Sequence, residues 1–154
     1  MKCYHTLECD TLASIQQETL LWLEQNQSLF ETKEFWNTID SIDFIKQSPS
    51  LVKYVTSLGL VLRECAILIA SKGGAPRHID QGPVIAKLNI PILNTKDTYT
   101  EWYDDQGKQI ARVEIDKPVV FNSSIAHQVV MGEQAVVPRV MLACMLIKEP
   151  TSYL

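Results

Sequence analysis

Several things are missing from this chain, and each absence narrows the field. No stretch reaches the ~18 apolar residues that a membrane-crossing helix needs. The start, Met1-Lys2-Cys3-Tyr4-His5, has no apolar run of the secretory kind. Basic residues are not in excess: 14 Lys and Arg stand against 18 Asp and Glu, for a net charge of -4. That argues against a broad nucleic-acid surface, which needs clustered cations, and no basic, aromatic-studded tract speaks for a nucleobase substrate. The four cysteines, Cys3, Cys9, Cys65 and Cys144, form no CxxC pair, which excludes a zinc knuckle or a thioredoxin-type redox site. They read as reduced thiols of an intracellular protein, so a cytoplasmic location is expected. There is no internal repeat, low-complexity tract or linker, so residues 1–154 are expected to form a single domain. Histidine is scarce as well, with three in 154 residues, and the placement of these three carries most of the information.

What is present is ordinary for a globular protein: 46% apolar and 21% charged residues, with enough chain for a substantial core. The first sixty residues read as helical. Asp10 is placed to cap a segment in which Leu12, Ile15, Leu20 and Leu23 recur at helical spacing and which ends near Asn26. A second short helical segment is expected around Glu31–Ile39, and a third over Ser41–Gln47. Pro49 suits the first turn of another helix, and Gly59 its stop.

After Gly59 the texture changes. Leu60–Ala70 is rich in Val, Leu and Ile, and Ser71-Lys72-Gly73-Gly74-Ala75-Pro76 interrupts it with turn-forming residues. Strand-like stretches follow at Val84–Leu93, Tyr99–Tyr103, Gln109–Ile115, Val119–Phe121, Ala126–Met131 and Val140–Ile147. Asp104-Asp105-Gln106-Gly107 reads as a hairpin turn and Asp116-Lys117-Pro118 as another. Closely spaced strands with tight turns favour an antiparallel sandwich or barrel. The expected architecture is a helical support over 1–59 and a β-barrel core over 60–148.

The second histidine opens the triplet His78-Ile79-Asp80. The third, His127, comes 49 residues later, and Arg139 follows it by 12. Two imidazoles and one carboxylate are the donor set that holds non-haem Fe(II) while leaving positions open. Side chains two apart on a strand share a face, so His78 and Asp80 can project together, with His127 arriving from a separate strand. An H-x-D triplet alone is weak, arising in roughly one such chain in six; its setting of turn, strand and downstream arginine strengthens it. His5 is read as a bystander in a frayed terminus. Arg139 opens the last strand and shares a face with Met141, Ala143 and Met145, while Val140, Leu142, Cys144 and Leu146 take the other. It is either a rim charge or a buried anchor for a carboxylate, and the second reading is preferred here.

These motifs resemble those of the Fe(II)/2-oxoglutarate-dependent oxygenases, most closely the aspartyl/asparaginyl β-hydroxylase-like branch. The stretches that carry the resemblance are Pro76–Asp80, Ala86–Ile92, Phe121–Val129 and Pro138–Leu142, within roughly Leu60–Ile147. The resemblance implies a mainly β fold with N-terminal helices, a double-stranded β-helix (jelly-roll, cupin-like) barrel. It implies that His78, Asp80 and His127 bind Fe(II) and that Arg139 pairs with the distal carboxylate of 2-oxoglutarate. Lys87 and Asn89 would lie beside that cosubstrate. Many relatives carry a serine two residues after the arginine; this chain has Met141, so any hydroxyl must come from elsewhere. The implied activity is an O2-dependent dioxygenase that hydroxylates a peptide side chain or small molecule, releasing succinate and CO2. The alternatives are a cupin-like metalloenzyme that does not use 2-oxoglutarate and a non-catalytic ligand-binding barrel. Gln128 or Asn122-Ser123-Ser124 is a candidate for fixing the histidine tautomers, though the latter run also reads as a turn. Asn94, Tyr99, Trp102 and Tyr103 are candidates for a substrate mouth, with core packing an equal account of Trp102. The oligomeric state is left open.

Overall fold

A computed structural model of the chain describes residues 2–26, 28, 36–40, 42–81 and 86–146. It is mainly β, with three helices and ten strands among those residues. In chain order these are β1 (Tyr4–Thr6), α1 (Leu12–Gln25), β2 (Trp36–Asp40), α2 (Ile42–Gln47), α3 (Pro49–Ser57), β3 (Leu62–Ala70) and β4 (Ala75–His78). There follow β5 (Ala86–Leu93), β6 (Thr98–Tyr103), β7 (Gln109–Glu114), β8 (Val119–Asn122), β9 (Ala126–Met131) and β10 (Arg139–Leu146).

The strands make two antiparallel sheets. The larger has the order β1-β8-β5-β10-β3-β2, the smaller β4-β9-β6-β7. From β3 onward the pairing is nested: β6 with β7, β5 with β8, β4 with β9 and β3 with β10. The pairs β5–β10 and β6–β9 then join these ribbons side by side within each sheet. A long hairpin wound over itself in this way is the jelly-roll arrangement. The expected closed barrel is corrected: the sheets remain open and form a jelly-roll-like sandwich, because β1, β2, β4 and β7 each end a sheet without pairing onward.

Period-two alternation decides what each face meets. On β10, Val140, Leu142, Cys144 and Leu146 join Ile67 and Ile69 of β3, and Leu88, Ile90 and Ile92 of β5, under the helices. Helix α1 contributes Ile15, Trp22 and Leu23, and α3 contributes Leu51, Tyr54 and Val55. Trp22 meets Phe44 of α2 edge-on, with ring centroids 5.9 Å apart. The opposite face of the large sheet turns toward the small sheet. There Met141 and Phe121 pack with Trp102 of β6 and Ile115.

The helical reading of the first sixty residues needs correction in several places. Residues 36–40 of the expected Glu31–Ile39 helix form β2, pairing antiparallel with β3 through Trp36↔Ala70 to Asp40↔Ala66; residues 31–35 lie outside the described residues, as do Ser41, Val84, Ile85 and Ile147 from other expected elements. The open edge of β3 offers backbone partners that local propensity does not register. His5 is not frayed: it sits in β1, opposite Val120 of β8. The N-cap of α1 is Thr11 rather than Asp10, and no side chain caps it. Pro49 does open α3, and Gly59 follows it with φ +70°. Among the described residues no helix is long and apolar enough to cross a membrane.

Candidate metal site

The crossing from β3 to β4 depends on Gly74. Its φ is +64°, and a Cβ there would stand 2.1 Å from the Val129 carbonyl oxygen. Only glycine lets the backbone come this near to β9. Strand β4 then pairs with β9 through Ala75↔Val129 and His78↔His127, with a register shift between. The sequence places these histidines 49 residues apart; the ladder sets them side by side, with ring centroids 4.5 Å apart and planes at 55°.

Asp80 lies just past the strand, its backbone N–H bonded to the Ser123 carbonyl (3.1 Å). Ile79 points away and is exposed, so His78 and Asp80 face the same way as their spacing predicts. One donor atom from each of His78, Asp80 and His127 lies within 4.8 Å of the other two, and this group could hold a metal ion.

Both histidines have their tautomer fixed by the backbone. His78 Nδ1 is 2.7 Å from the Pro76 carbonyl oxygen and His127 Nδ1 is 2.8 Å from that of Ile125. A carbonyl can only accept, so each Nδ1 carries a hydrogen, and Nε2 is the nitrogen that faces the cluster, 3.5 Å from Asp80 Oδ1 in the case of His78. The expected helpers are occupied elsewhere. Gln128 Nε2 donates to Glu101 Oε2 (2.9 Å) and to Tyr103 Oη (2.6 Å). Asn122 Oδ1 accepts from the Ser124 N–H and hydroxyl, which makes that run a turn.

The electrostatics favour a charged Asp80 carboxylate and shift the two rings in opposite directions. Burial pushes Asp80 up, but bonds from His78 and Lys87 and the Lys87 charge outweigh it, holding the carboxyl well below its usual range. Burial lowers His127, while the bond to Asp80 raises His78. The Lys87 ammonium donates to Asp80 Oδ2 at 2.8 Å.

These groups line a cavity of about 150 Å³ between the sheets, together with Asn89, Thr100 and Arg139 and an apolar wall that includes Leu68, Phe121 and Met145. Arg139 is only 3% exposed. Its Nε donates to Thr98 Oγ1 at 3.0 Å, and among the described residues no carboxylate pairs with it. Burial pulls its guanidinium down to about 10. Asn89, at 7% exposure, keeps an Oδ1 without a hydrogen-bond partner among the described residues. Thr98 lies four residues along β6 from Trp102, which pairs with His127. That is roughly 13 Å of strand between the support of the arginine and the histidine pair.

All six residues singled out from the sequence (His78, Asp80, Lys87, Asn89, His127 and Arg139) line this one cavity. Of the residues expected at a substrate mouth, Asn94, Tyr99, Trp102 and Tyr103, none lines this cavity. Trp102 is fully buried and stacks on Tyr4 at 5.3 Å. Asn94 bonds the Pro138 carbonyl. Tyr99 and Tyr103 point to the other face of β6, under Arg112 and Arg77. Met141 packs in the second core cluster; the hydroxyl on the arginine comes from Thr98, and Thr100 lines the same cavity. Neither threonine was singled out from sequence, although both are period-two partners of Trp102 on β6.

No protein-family model matches the chain, and no curated protein matches it either. Solved structures do resemble it. AviO1 from Streptomyces viridochromogenes Tue57 aligns at 13% identity and TM-score 0.60, over 96% of this chain and 90% of that one. EvdMO1 aligns at 13% identity and TM-score 0.57, over 92% of this chain and 46% of that one. A prolyl-4-hydroxylase from Pseudomonas putida aligns at 13% identity and TM-score 0.49, over 92% and 88%. At such identity, what the chain shares with AviO1 and EvdMO1 is a fold.

Proposed function

We propose that this protein is a non-haem Fe(II)/2-oxoglutarate-dependent oxygenase built on a double-stranded β-helix, nearest in its motifs to the aspartyl/asparaginyl β-hydroxylase-like branch. One observation carries the reading: a two-histidine, one-carboxylate cluster shares a cavity with a buried arginine that has no anionic partner among the described residues. Its donor set fits a divalent metal, since the two imidazoles and the Asp80 carboxylate, which is held ionised, bring their donor atoms within 4.8 Å of one another. Two histidines and one carboxylate are the donor set that would hold non-haem Fe(II) while leaving positions for other ligands. A guanidinium buried without a counter-charge is costly, and an anionic ligand relieves that cost. The 2-oxoglutarate-independent alternative has no need of Arg139 as an anchor.

His78, Asp80 and His127 would hold the metal, and Arg139 would grip the far carboxylate of 2-oxoglutarate. Fe(II) with that cosubstrate and O2 supplies oxidative decarboxylation, giving succinate and CO2, coupled to hydroxylation of a C–H group. The chain's own part is to bind, orient and keep water out. Phe121, Leu68 and Met145 wall the cavity, Thr98 fixes the arginine side chain, and the Pro76 and Ile125 carbonyls fix the rings. A cavity of about 150 Å³ suits a compact dianion. The hydroxylated substrate, a small molecule or a peptide side chain, would then approach from the rim.

The test is an anaerobic Fe(II) titration with and without 2-oxoglutarate, watching the weak visible charge-transfer band of the chelate. The band is expected in the wild type, absent in His127→Ala, and shifted to much higher 2-oxoglutarate in Arg139→Ala. Metal binding without any 2-oxoglutarate response would refute the oxygenase assignment.

A further inference from the structure

The two oxygens of Asp80 face different partners. Oδ1 lies 3.5 Å from His78 Nε2, toward the histidine pair, while Oδ2 accepts from Lys87 Nζ at 2.8 Å. The two partners come from opposite sheets. The histidines belong to β4 and β9 of the small sheet. Lys87 belongs to β5 of the large sheet, in register with Phe121 of β8. Asp80 follows a four-residue edge strand, and its backbone tie is the bond to the Ser123 carbonyl. The lysine therefore braces the carboxylate from across the cavity. Both side chains are substantially buried, at 21% and 17% exposure, so the pair is not a freely solvated one.

We propose that Lys87 is a positioning residue that divides the Asp80 carboxylate, keeping Oδ2 for itself and leaving Oδ1 alone for the metal. The inference rests on the metal-site reading above and gives Lys87 a different task from the cosubstrate contact that its motif position suggests. Two consequences follow from charge and geometry. A carboxylate limited to one oxygen cannot chelate, which preserves an open position. The lysine charge also offsets the aspartate charge, so a divalent ion between two neutral imidazoles keeps most of its own. Such a site binds the bare ion weakly and binds it well together with a dianion that completes the charge balance.

The test uses Co2+ as probe on the full chain, with visible absorption and calorimetry, in the presence and absence of 2-oxoglutarate. Lys87→Met keeps the aliphatic stem and removes the charge; Lys87→Gln serves as the second variant if the first does not fold. Without 2-oxoglutarate, Lys87→Met is expected to bind Co2+ about tenfold more tightly than wild type, with an altered visible spectrum as the second oxygen is released. The enhancement of Co2+ affinity by 2-oxoglutarate is expected to shrink by a similar factor. Lys87→Arg, which retains the charge, is expected to restore the wild-type pattern. Unchanged Co2+ affinity and spectrum in Lys87→Met, with only 2-oxoglutarate binding weakened, would overturn the proposal and return Lys87 to a cosubstrate contact. Weakened Co2+ binding would overturn it too, since a merely structural brace predicts that direction. A wild type that binds no Co2+ would instead refute the metal reading, and this inference with it.

Discussion

Replacing Arg139 with methionine separates what the residue contributes to stability from what it contributes to binding. The guanidinium is 3% exposed, and burial pulls its pKa down to about 10. A cation whose folded-state pKa lies below its unfolded value is disfavoured on folding. The penalty is fully present below about pH 10 and fades only as the pH rises toward the ordinary guanidinium range, so all of it operates at neutral pH. Converted at 1.36 kcal/mol per pKa unit, it amounts to about 3 kcal/mol. The hydrogen bond to Thr98 returns about 1 kcal/mol. Arg139→Met fills similar volume without the charge, and the ligand-free variant is expected to be more stable than wild type by roughly 1–2 kcal/mol. That is a rise of about 2–8 °C in Tm for a chain of this size. With metal present, 2-oxoglutarate at a hundredfold excess over its Kd should stabilise wild type by about 2.7 kcal/mol and leave the variant unmoved. Urea and thermal melts with and without ligand measure both quantities. A ligand-free variant less stable than wild type would refute the argument, because the arginine would then already be compensated inside the protein.

Three further outcomes are expected. Gly74→Ala should cost more than about 3 kcal/mol in urea melts, because its Cβ meets the Val129 carbonyl backbone and its φ is positive; Gly59→Ala, with φ +70° and nothing within 4 Å, should cost only about 1 kcal/mol. Burial pushes Glu101 up, but bonds from Tyr103 and Gln128 and the charges of Arg112 and Arg77 outweigh it and lower its pKa. Its stabilisation is therefore present above the usual carboxyl range and lost as pH falls through the depressed value, so Glu101→Gln should be less stable than wild type by about 1–3 kcal/mol at pH 7 and nearly equal to it in acid melts. Chelator treatment should lower the Tm of metal-loaded wild type, while His127→Ala should melt at the same temperature with and without chelator.

Much of the site was legible because period-two geometry is local. The triplet His78-Ile79-Asp80 turns both ligands one way and Ile79 the other. The alternation along 139–146 correctly put Arg139, Met141, Ala143 and Met145 on the face away from the helices. Hairpin chemistry marked the turn at 104–107. What escaped the sequence depends on partners distant in the chain. Residues 36–40 became a strand because β3 offered an edge. Tyr99 and Tyr103 left the cavity because arginines from β7 and β4 cover the other face of β6. The bond from Lys87 to Asp80 spans two sheets, and no spacing rule announces it. The backbone carbonyls that fix the histidine tautomers carry no residue identity at all.

The nested pairing also sets the order in which this chain can assemble. The hairpin β6–β7 closes the shortest loop, as in Trp102↔Ala111. Each successive ring encloses the one before, so β4–β9 joins residues 49 apart at His78↔His127, and β3–β10 joins Cys65 to Cys144 across about half of the chain. Such non-local closure makes folding slow, on the order of milliseconds to seconds. The histidine pair belongs to the third ring outward, so bringing its ligands together closes a longer loop than the two inner ladders do. An ion that binds there arrives after the folding barrier, and its stabilisation is expected to appear as slower unfolding rather than faster folding.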